Sequence, residues 1–140
     1  MKSDERVRVL YVEDNCDSFE MLKVMLDLSQ IEVDCAVNVD EALTRASSES
    51  FDLYLLDTRL PDGNGFSLCR TLRFFDPETP VLFYSGHAHP EEIKMGMAAG
   101  ASGYITKPNS DKLAVTIIEL VTACRERSAA FADFRVLAAA

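Results

Sequence analysis

Five short apolar runs, each followed by a stretch with helical periodicity, dominate the pattern of this 140-residue chain. The first run, VRVLYV at residues 7–12, is continuous and rich in β-branched side chains, which indicates a strand buried on both faces. Further strands are predicted at residues 31–37, 51–57, 79–85 and 101–106. Apolar residues that recur three or four positions apart predict helices at about 17–29, 39–46, 66–75, 90–99 and 113–124.

Strands that alternate with helices predict right-handed crossover connections and a parallel sheet covered on both faces. The expected fold class is α/β, a flavodoxin-like (βα)5 three-layer sandwich whose five-stranded sheet has the order 2-1-3-4-5. In such sheets, ligands bind beyond the carboxyl ends of the strands, near the point where the strand order reverses. The residues that follow the strands are therefore the candidates for a functional site.

Composition excludes several classes of protein. A length of 140 residues accommodates one domain, and 23 Asp and Glu against 14 Lys and Arg give a net charge of -9. This acidic balance argues against direct binding of nucleic acid, which needs clustered basic residues. No apolar run approaches the ~20 residues of a membrane span, and the N-terminus lacks a signal-peptide pattern, so we expect no membrane association and a cytoplasmic location. The four cysteines contain no C-x-x-C pair and indicate neither a zinc knuckle nor a disulfide framework.

Polar side chains stand at the predicted strand ends. Glu13 and Asp14 follow strand one, Asp57 closes strand three, Ser85 ends strand four and Lys107 follows strand five. Carboxylates about 4 Å apart repel by roughly 4 kcal/mol at an effective dielectric constant near 20, so three acids must either raise their pKa values or bind a cation. Oxygen ligands without His or Cys favour Mg²⁺, and an amine beside a hydroxyl suits a phosphoryl group. The set as a whole indicates phosphoryl transfer.

In this order and on these elements, the residues resemble the receiver domain of two-component response regulators, of the type found in chemotaxis regulators. The motifs that carry the resemblance are Glu13-Asp14, LLDTRLPDGNGF at 55–66, Ser85-Gly86 and YITKP at 104–108. The resemblance implies a receiver domain at residues 1–124. Residues 125–140 are expected to extend helix five or to form a tail. Four apolar residues of this segment are suited to packing on the domain or on a partner: Phe131, Phe134, Val136 and Leu137. The closing alanines are compatible with an artificial addition.

The resemblance also implies the chemistry. Asp57 would be the phosphoacceptor, taking a phosphoryl group from the phosphohistidine of a sensor histidine kinase or a histidine phosphotransfer protein. Mg²⁺ would be held by Asp14, Asp57 and the backbone carbonyl of Arg59, with Glu13 acting directly or through water. Lys107 would offset the charge on the phosphoryl oxygens. The domain would be a signalling switch that catalyses its own phosphorylation and dephosphorylation, and not an enzyme in the ordinary sense.

The switch would depend on further residues. Ser85 is expected to bond the phosphoryl group while Tyr104 turns inward, which changes the surface formed by helix four, strand five and helix five. That surface would act on a downstream protein target or an attached output domain, and it could also form a homodimer. Arg59 and His87, each two residues beyond a key position, are candidates for tuning the lifetime of the phosphoryl group. A cis peptide is implied before Pro108.

One other interpretation of the residues remains open, and two more fit them poorly. A pseudo-receiver would keep the fold as a protein-interaction module that is not controlled by phosphorylation. A phosphatase of the haloacid-dehalogenase type would need a second acid where this chain has Arg59, and a flavin carrier would need a hydroxyl-rich loop where this chain has EDNCDS. Phosphorylation of Asp57 distinguishes the receiver from the interaction module, whereas multiple turnover on small phosphate esters would indicate the enzyme.

Overall fold

A computed structural model describes residues 6–139, with side chains as far as residue 130. Strands and helices alternate along the chain as the sequence pattern predicts. The elements are β1 (Val7–Val12), α1 (Cys16–Asp27), β2 (Ile31–Ala36), α2 (Val39–Ser48), β3 (Leu53–Leu56), β4 (Arg59–Leu60), β5 (Gly63–Asn64), α3 (Gly65–Phe75), β6 (Val81–Ser85), α4 (Pro90–Ala98), β7 (Gly103–Thr106) and α5 (Ser110–Ala139).

Five of the strands form one parallel sheet in the order β2-β1-β3-β6-β7. Counted along the chain without the short β4 and β5, this is the order 2-1-3-4-5. The predicted flavodoxin-like fold is therefore confirmed. The order reverses between β1 and β3, so the carboxyl ends of these two central strands border the crevice where α/β proteins of this topology bind ligands.

Helices cover both faces of the sheet because alternate residues of the strands point to opposite sides. Leu10 and Leu56 face a core made with α2 and α3, whereas Val9 and Leu55 face a core made with α1 and α5. All four of these side chains are fully buried. Burying an aliphatic side chain of this size contributes about 1.5–3 kcal/mol, so the two cores hold the central strands in a set position.

Three predicted strands begin later than their apolar runs, among them the fifth, which spans Gly103–Thr106 and not 101–106. The fourth strand of the sheet starts at Val81 and not at residue 79, because Pro80 has no N–H to donate to a neighbouring strand. The third strand spans Leu53–Leu56 and not 51–57. Asp57 directly follows the strand, and its carboxylate accepts hydrogen bonds from Thr58 and Lys107 in the site described below.

The turn predicted at 60–65 contains the small antiparallel hairpin β4–β5. The hairpin leads into α3 at Gly65, where a Cβ atom would lie 2.1 Å from the carbonyl oxygen of Asp57. Only glycine fits this close approach. In the same hairpin, the carboxylate of Asp62 accepts hydrogen bonds from the backbone N–H groups of Val39 and Asp40, at 2.7 and 3.0 Å, and so caps α2.

Helix α5 continues without a break from Ser110 to Ala139, beyond the residues predicted from periodicity. An ion pair of 3.2 Å between Arg125 and Asp52 and a contact from Cys124 Sγ to the carbonyl oxygen of Glu78 join its middle to the domain. The predicted packing of the apolar residues at 131–137 falls outside the described side chains. Across residues 6–139, no helix has the length and apolar character needed to cross a membrane.

Candidate functional site at the carboxyl edge of the sheet

Strand register brings the predicted site residues together. Val12 pairs with Leu56, and Ser85 pairs with Thr106. The residues that follow these pairs therefore leave the sheet at the same edge. Two backbone hydrogen bonds carry the strand pairing one residue further, from Asp57 N to the carbonyl oxygen of Val12 at 3.2 Å and from Lys107 N to that of Ser85 at 2.9 Å.

Lys107 lies between two of the predicted acids. Its Nζ donates to Glu13 Oε1 at 2.7 Å and to Asp57 Oδ2 at 3.1 Å. Burial alone would lower the pKa of Lys107, but the hydrogen bond to Glu13 and the charge of Asp57 outweigh that effect and raise the pKa above its ordinary value. Lys107 is therefore a fixed cation at neutral pH. The predicted cis peptide between Lys107 and Pro108 is present.

Glu13 is the most deeply buried acid of the site, with 3% of its surface exposed. Its Oε1 accepts a hydrogen bond from the Tyr11 hydroxyl at 3.1 Å as well as from Lys107, and its Oε2 accepts one from the Asn15 backbone at 3.1 Å. Burial, together with the charge of Glu13, raises the pKa of Tyr11, so the phenol stays protonated as a donor. Glu13 thus helps to hold Lys107 in place while most of its own hydrogen-bonding capacity is used.

Asp57 is held more loosely than Glu13. Its Oδ1 accepts from the Thr58 backbone N–H at 2.6 Å and its Oδ2 accepts from Lys107, while 15% of the side chain remains exposed. Each carboxylate oxygen has two lone pairs, so each keeps one that is not used by these bonds. Asp57 is therefore an oriented carboxylate with unused lone pairs and partial access to solvent.

The structure joins two of the four predicted metal ligands, Glu13 and Asp57, through Lys107, but it does not gather the set into a closed cage. Within residues 6–130, where side chains are described, no three His, Cys, Asp or Glu side chains are arranged as a metal-binding cluster. Asp14 is exposed, Asp57 keeps unused lone pairs, and Arg59 begins β4 with its side chain exposed. The donor set consists of hard oxygen atoms, and Asp14 and Asp57 are accessible to the water molecules that Mg²⁺ keeps as ligands. Since the oxygens of Glu13 already accept three hydrogen bonds, Glu13 fits a role through water.

Ser85 is fully buried, and its hydroxyl is occupied. Ser85 Oγ accepts a hydrogen bond from the His87 backbone N–H at 3.0 Å and lies 2.9 Å from Thr58 Oγ1. Thr58 is itself 2% exposed. The predicted switch hydroxyl therefore has a side-chain partner that the sequence analysis did not identify.

Tyr104 bridges β7 and the loop before α4. Its ring stacks on Phe83 with centroids 5.5 Å apart, and its hydroxyl donates to the carbonyl oxygen of His87. A Cβ atom at Gly96 of α4 would come within 3.1 Å of Phe83 and 3.2 Å of Tyr104. Glycine at position 96 therefore lets α4 pack closely on the two rings. The side chain of His87 is exposed.

Two residues of this site lie outside the set predicted from the sequence. Tyr11 lies two positions before Glu13, and because side chains alternate along a strand, this spacing puts both on one face. That signal could have identified Tyr11 as a donor. Thr58 directly follows Asp57, but its contact with Ser85 depends on how two strands far apart in the chain are aligned. No local pattern shows that alignment.

Comparison with known proteins identifies the family of the chain. The family model for the response regulator receiver domain matches residues 9–119. The chain belongs to this family, and it is a receiver domain of the two-component response regulators.

Several individual proteins are similar to the chain. It is 35% identical over 103 residues to the response regulator protein PilR of Pseudomonas aeruginosa, covering 74% of this chain and 23% of PilR. It is 34% identical over 116 residues to the cell cycle response regulator CtrA of Brucella ovis, covering 82% of this chain and 50% of CtrA. The chain thus spans half or less of the length of these relatives. A solved CheY-like receiver domain protein from Methanospirillum hungatei superimposes with a TM-score of 0.81 and 30% identity, over 86% of this chain and 98% of that one.

Proposed function

We propose that Asp57 is the phosphoacceptor of this receiver domain and that Lys107 is the cation that assists its phosphorylation. The observation that carries the proposal is the position of Lys107 Nζ, 2.7 Å from Glu13 Oε1 and 3.1 Å from Asp57 Oδ2. The closer carboxylate is buried and holds the ammonium group in place. The more accessible one keeps the lone pairs that a nucleophile needs.

The reaction is a transfer between two side chains. An oxygen of Asp57 attacks the phosphorus of a phosphohistidine on a sensor histidine kinase or histidine phosphotransfer protein. The O–P bond forms as the P–N bond breaks, and the imidazole leaves with the electron pair of that bond and takes up a proton. Lys107 lies beside the attacking carboxylate, where its charge offsets the negative charge that develops on the phosphoryl oxygens.

Asp14, Asp57 and the backbone carbonyl of Arg59 would hold Mg²⁺, with Glu13 bonded through a water molecule. When bound, the ion supplies positive charge next to the transferred phosphoryl group. The exposure of Asp14 supports this assignment, because an accessible carboxylate can exchange water for a metal without breaking a buried contact. Mg²⁺ would also relieve the repulsion between the acids that Lys107 alone does not offset.

The output is a change of surface. Ser85 would bond the phosphoryl group and Tyr104 would change position, which alters the face formed by α4, β7 and α5 for a downstream protein, an attached output domain or a second copy of the chain. Two contacts support the change of surface: the Tyr104 ring stacks on Phe83, and Gly96 of α4 lies close to both rings. Movement of the Tyr104 ring must therefore affect α4. Arg59 and His87 remain candidates for tuning the phosphoryl lifetime, and a cytoplasmic location remains a prediction.

The test is incubation with acetyl phosphate and Mg²⁺ followed by intact mass measurement. We expect the wild type to gain one phosphoryl group, Asp57→Asn to gain none, and the exposed control Asp40→Asn to behave as wild type. Chelation of Mg²⁺ should suppress the gain. Labelling of Asp57→Asn to the wild-type extent would refute the assignment of the phosphoacceptor, and a wild type that accepts no phosphoryl group from acetyl phosphate or from a histidine phosphotransfer protein would favour a pseudo-receiver.

A further inference from the structure

We propose that Thr58 is a positioning residue that holds the hydroxyl of Ser85 in the unphosphorylated arrangement and so opposes switching. This inference rests on the proposed role of Ser85 as the hydroxyl that bonds the phosphoryl group. It assigns to Thr58 a function that neither the acidic residues nor Lys107 supply. Thr58 would set how readily the domain responds to phosphorylation.

The contact between the two hydroxyls is a consequence of strand register. Leu56 pairs with Phe83 in the parallel sheet, so the chain two residues beyond each of them places Thr58 beside Ser85. Their Oγ atoms lie 2.9 Å apart. Both residues are buried, with 2% of Thr58 and none of Ser85 exposed. Water therefore cannot replace either hydroxyl as a partner for the other.

The hydrogen bonds of Ser85 make its rest position stable. Within residues 6–130, Ser85 Oγ lies beside the Thr58 hydroxyl and accepts from the backbone N–H of His87, and the Tyr104 hydroxyl is a further hydrogen-bonding neighbour of Ser85. The hydrogen-bond partner of Thr58 Oγ1 in that range is Ser85. Movement of Ser85 toward a phosphoryl group on Asp57 breaks the bond to Thr58. The loop at Gly86 and His87 is exposed, so water can satisfy the amide that Ser85 leaves. Thr58 has no such replacement.

The energetic consequence has a definite sign. A buried hydroxyl that loses its partner costs more than an ordinary hydrogen bond contributes. In the unphosphorylated state the Thr58 hydroxyl is paired with Ser85 and this cost is absent. In the switched state the Thr58 hydroxyl has lost Ser85 and the cost is present. Valine has nearly the shape of threonine without the hydroxyl, so Thr58→Val removes one buried partner of Ser85 at rest and leaves no unpaired hydroxyl at position 58 after switching. Both effects favour the switched state.

The experiment measures binding of beryllofluoride, an analogue of the phosphoryl group, in the presence of Mg²⁺ by isothermal titration calorimetry. We expect Thr58→Val to bind the analogue about five- to tenfold more tightly than wild type, because one hydrogen bond between buried groups no longer opposes the switch. Thr58→Ser retains the hydroxyl and should bind within about twofold of wild type. The initial rate of phosphorylation by acetyl phosphate should change in the same direction.

A double-mutant cycle separates positioning from a general structural effect. On the Ser85→Ala background the switch hydroxyl is absent, so adding Thr58→Val should no longer tighten binding. Circular dichroism checks that the variants are folded, and Thr58→Ala, which also lacks the hydroxyl, serves if Thr58→Val does not fold.

Three results would overturn the inference. Binding by Thr58→Val that equals or is weaker than wild type would mean that Thr58 does not oppose switching. A gain that persists fully on the Ser85→Ala background would mean that it acts through something other than Ser85. A wild type that neither binds beryllofluoride nor accepts a phosphoryl group would refute the proposed function, and this inference with it.

Discussion

Replacement of Lys107 by Met removes the ammonium group that contacts both Glu13 and Asp57, while it keeps an unbranched chain of similar length. The two carboxylates then face each other without the cation between them. The charge of Glu13 is destabilised more than that of Asp57, because the Glu13 side chain is 4% exposed and water cannot replace the contact with Lys107. We therefore expect Lys107→Met to lower the free energy of unfolding when it is measured without Mg²⁺.

The size of the effect follows from burial. Removing one partner of a fully buried ion pair costs roughly 3–5 kcal/mol. The side chain of Lys107 is 26% exposed and that of Asp57 is 15% exposed, so solvent screens part of the interaction. We expect a loss of about 2–3 kcal/mol, discounted for this exposure. With a urea dependence of about 1.5 kcal/mol/M for a domain of this size, the unfolding midpoint should fall by about 1–2 M.

Urea unfolding at neutral pH, followed by circular dichroism, is the assay. Lys112→Met is the matched control, because Lys112 is an exposed lysine five residues further on, outside the site. The control should stay within about 0.5 kcal/mol of wild type. Equal midpoints for Lys107→Met and Lys112→Met would refute the conclusion that Lys107 stabilises the two acids.

The pH dependence gives a second check. The pKa of Lys107 is raised in the folded protein above its ordinary value of 10.5. A raised pKa means that the folded state binds the proton more tightly, so the stabilisation is fully present below about pH 10.5. The stabilisation by Lys107 is lost as the pH rises through the pKa of Lys107 in the folded protein. The difference between wild type and Lys107→Met should therefore stay constant from neutral pH to about pH 10 and narrow only above that range.

Three further predictions concern the surroundings of the site. Gly65→Ala should lower the thermal unfolding midpoint, because a Cβ atom at position 65 would lie 2.1 Å from the Asp57 carbonyl oxygen. Gly86→Ala should leave the midpoint unchanged, because a Cβ atom there meets nothing within 4 Å, and equal midpoints for the two variants would contradict the close approach at Gly65. If Arg59 shields the phosphoryl group from water, Arg59→Ala should lose phosphate faster than wild type after acetyl phosphate is removed, and an unchanged half-life would argue against the role. Hydrogen bonds from the first amides of α2 lower the pKa of Asp62 below 3.8, so Asp62→Ala should be less stable than wild type at neutral pH. The difference in stability should disappear as the pH falls below that value. A difference that persists in acid would show that the charge of Asp62 is not responsible.

Local sequence determined the framework of this protein. The run from Val7 to Val12 could be assigned as a strand because continuous β-branched residues suit a strand buried on both faces. Alternation of such runs with helical periodicity then required a parallel sheet, and a parallel sheet brings every strand's carboxyl end to one edge. Glu13, Asp57 and Lys107 could be predicted as neighbours for this reason, although they are up to 94 positions apart.

Tertiary structure decided which atoms meet at that edge. The sequence does not show that Lys107 lies closer to Glu13 than to Asp57, or that the hydroxyls of Thr58 and Ser85 share a hydrogen bond. These contacts depend on the register of separate strands and on the packing that holds it. A shift of register would change every such pair while leaving the local apolar pattern of each strand the same. Periodicity therefore determines where the site is, and the aligned sheet determines how its side chains are connected.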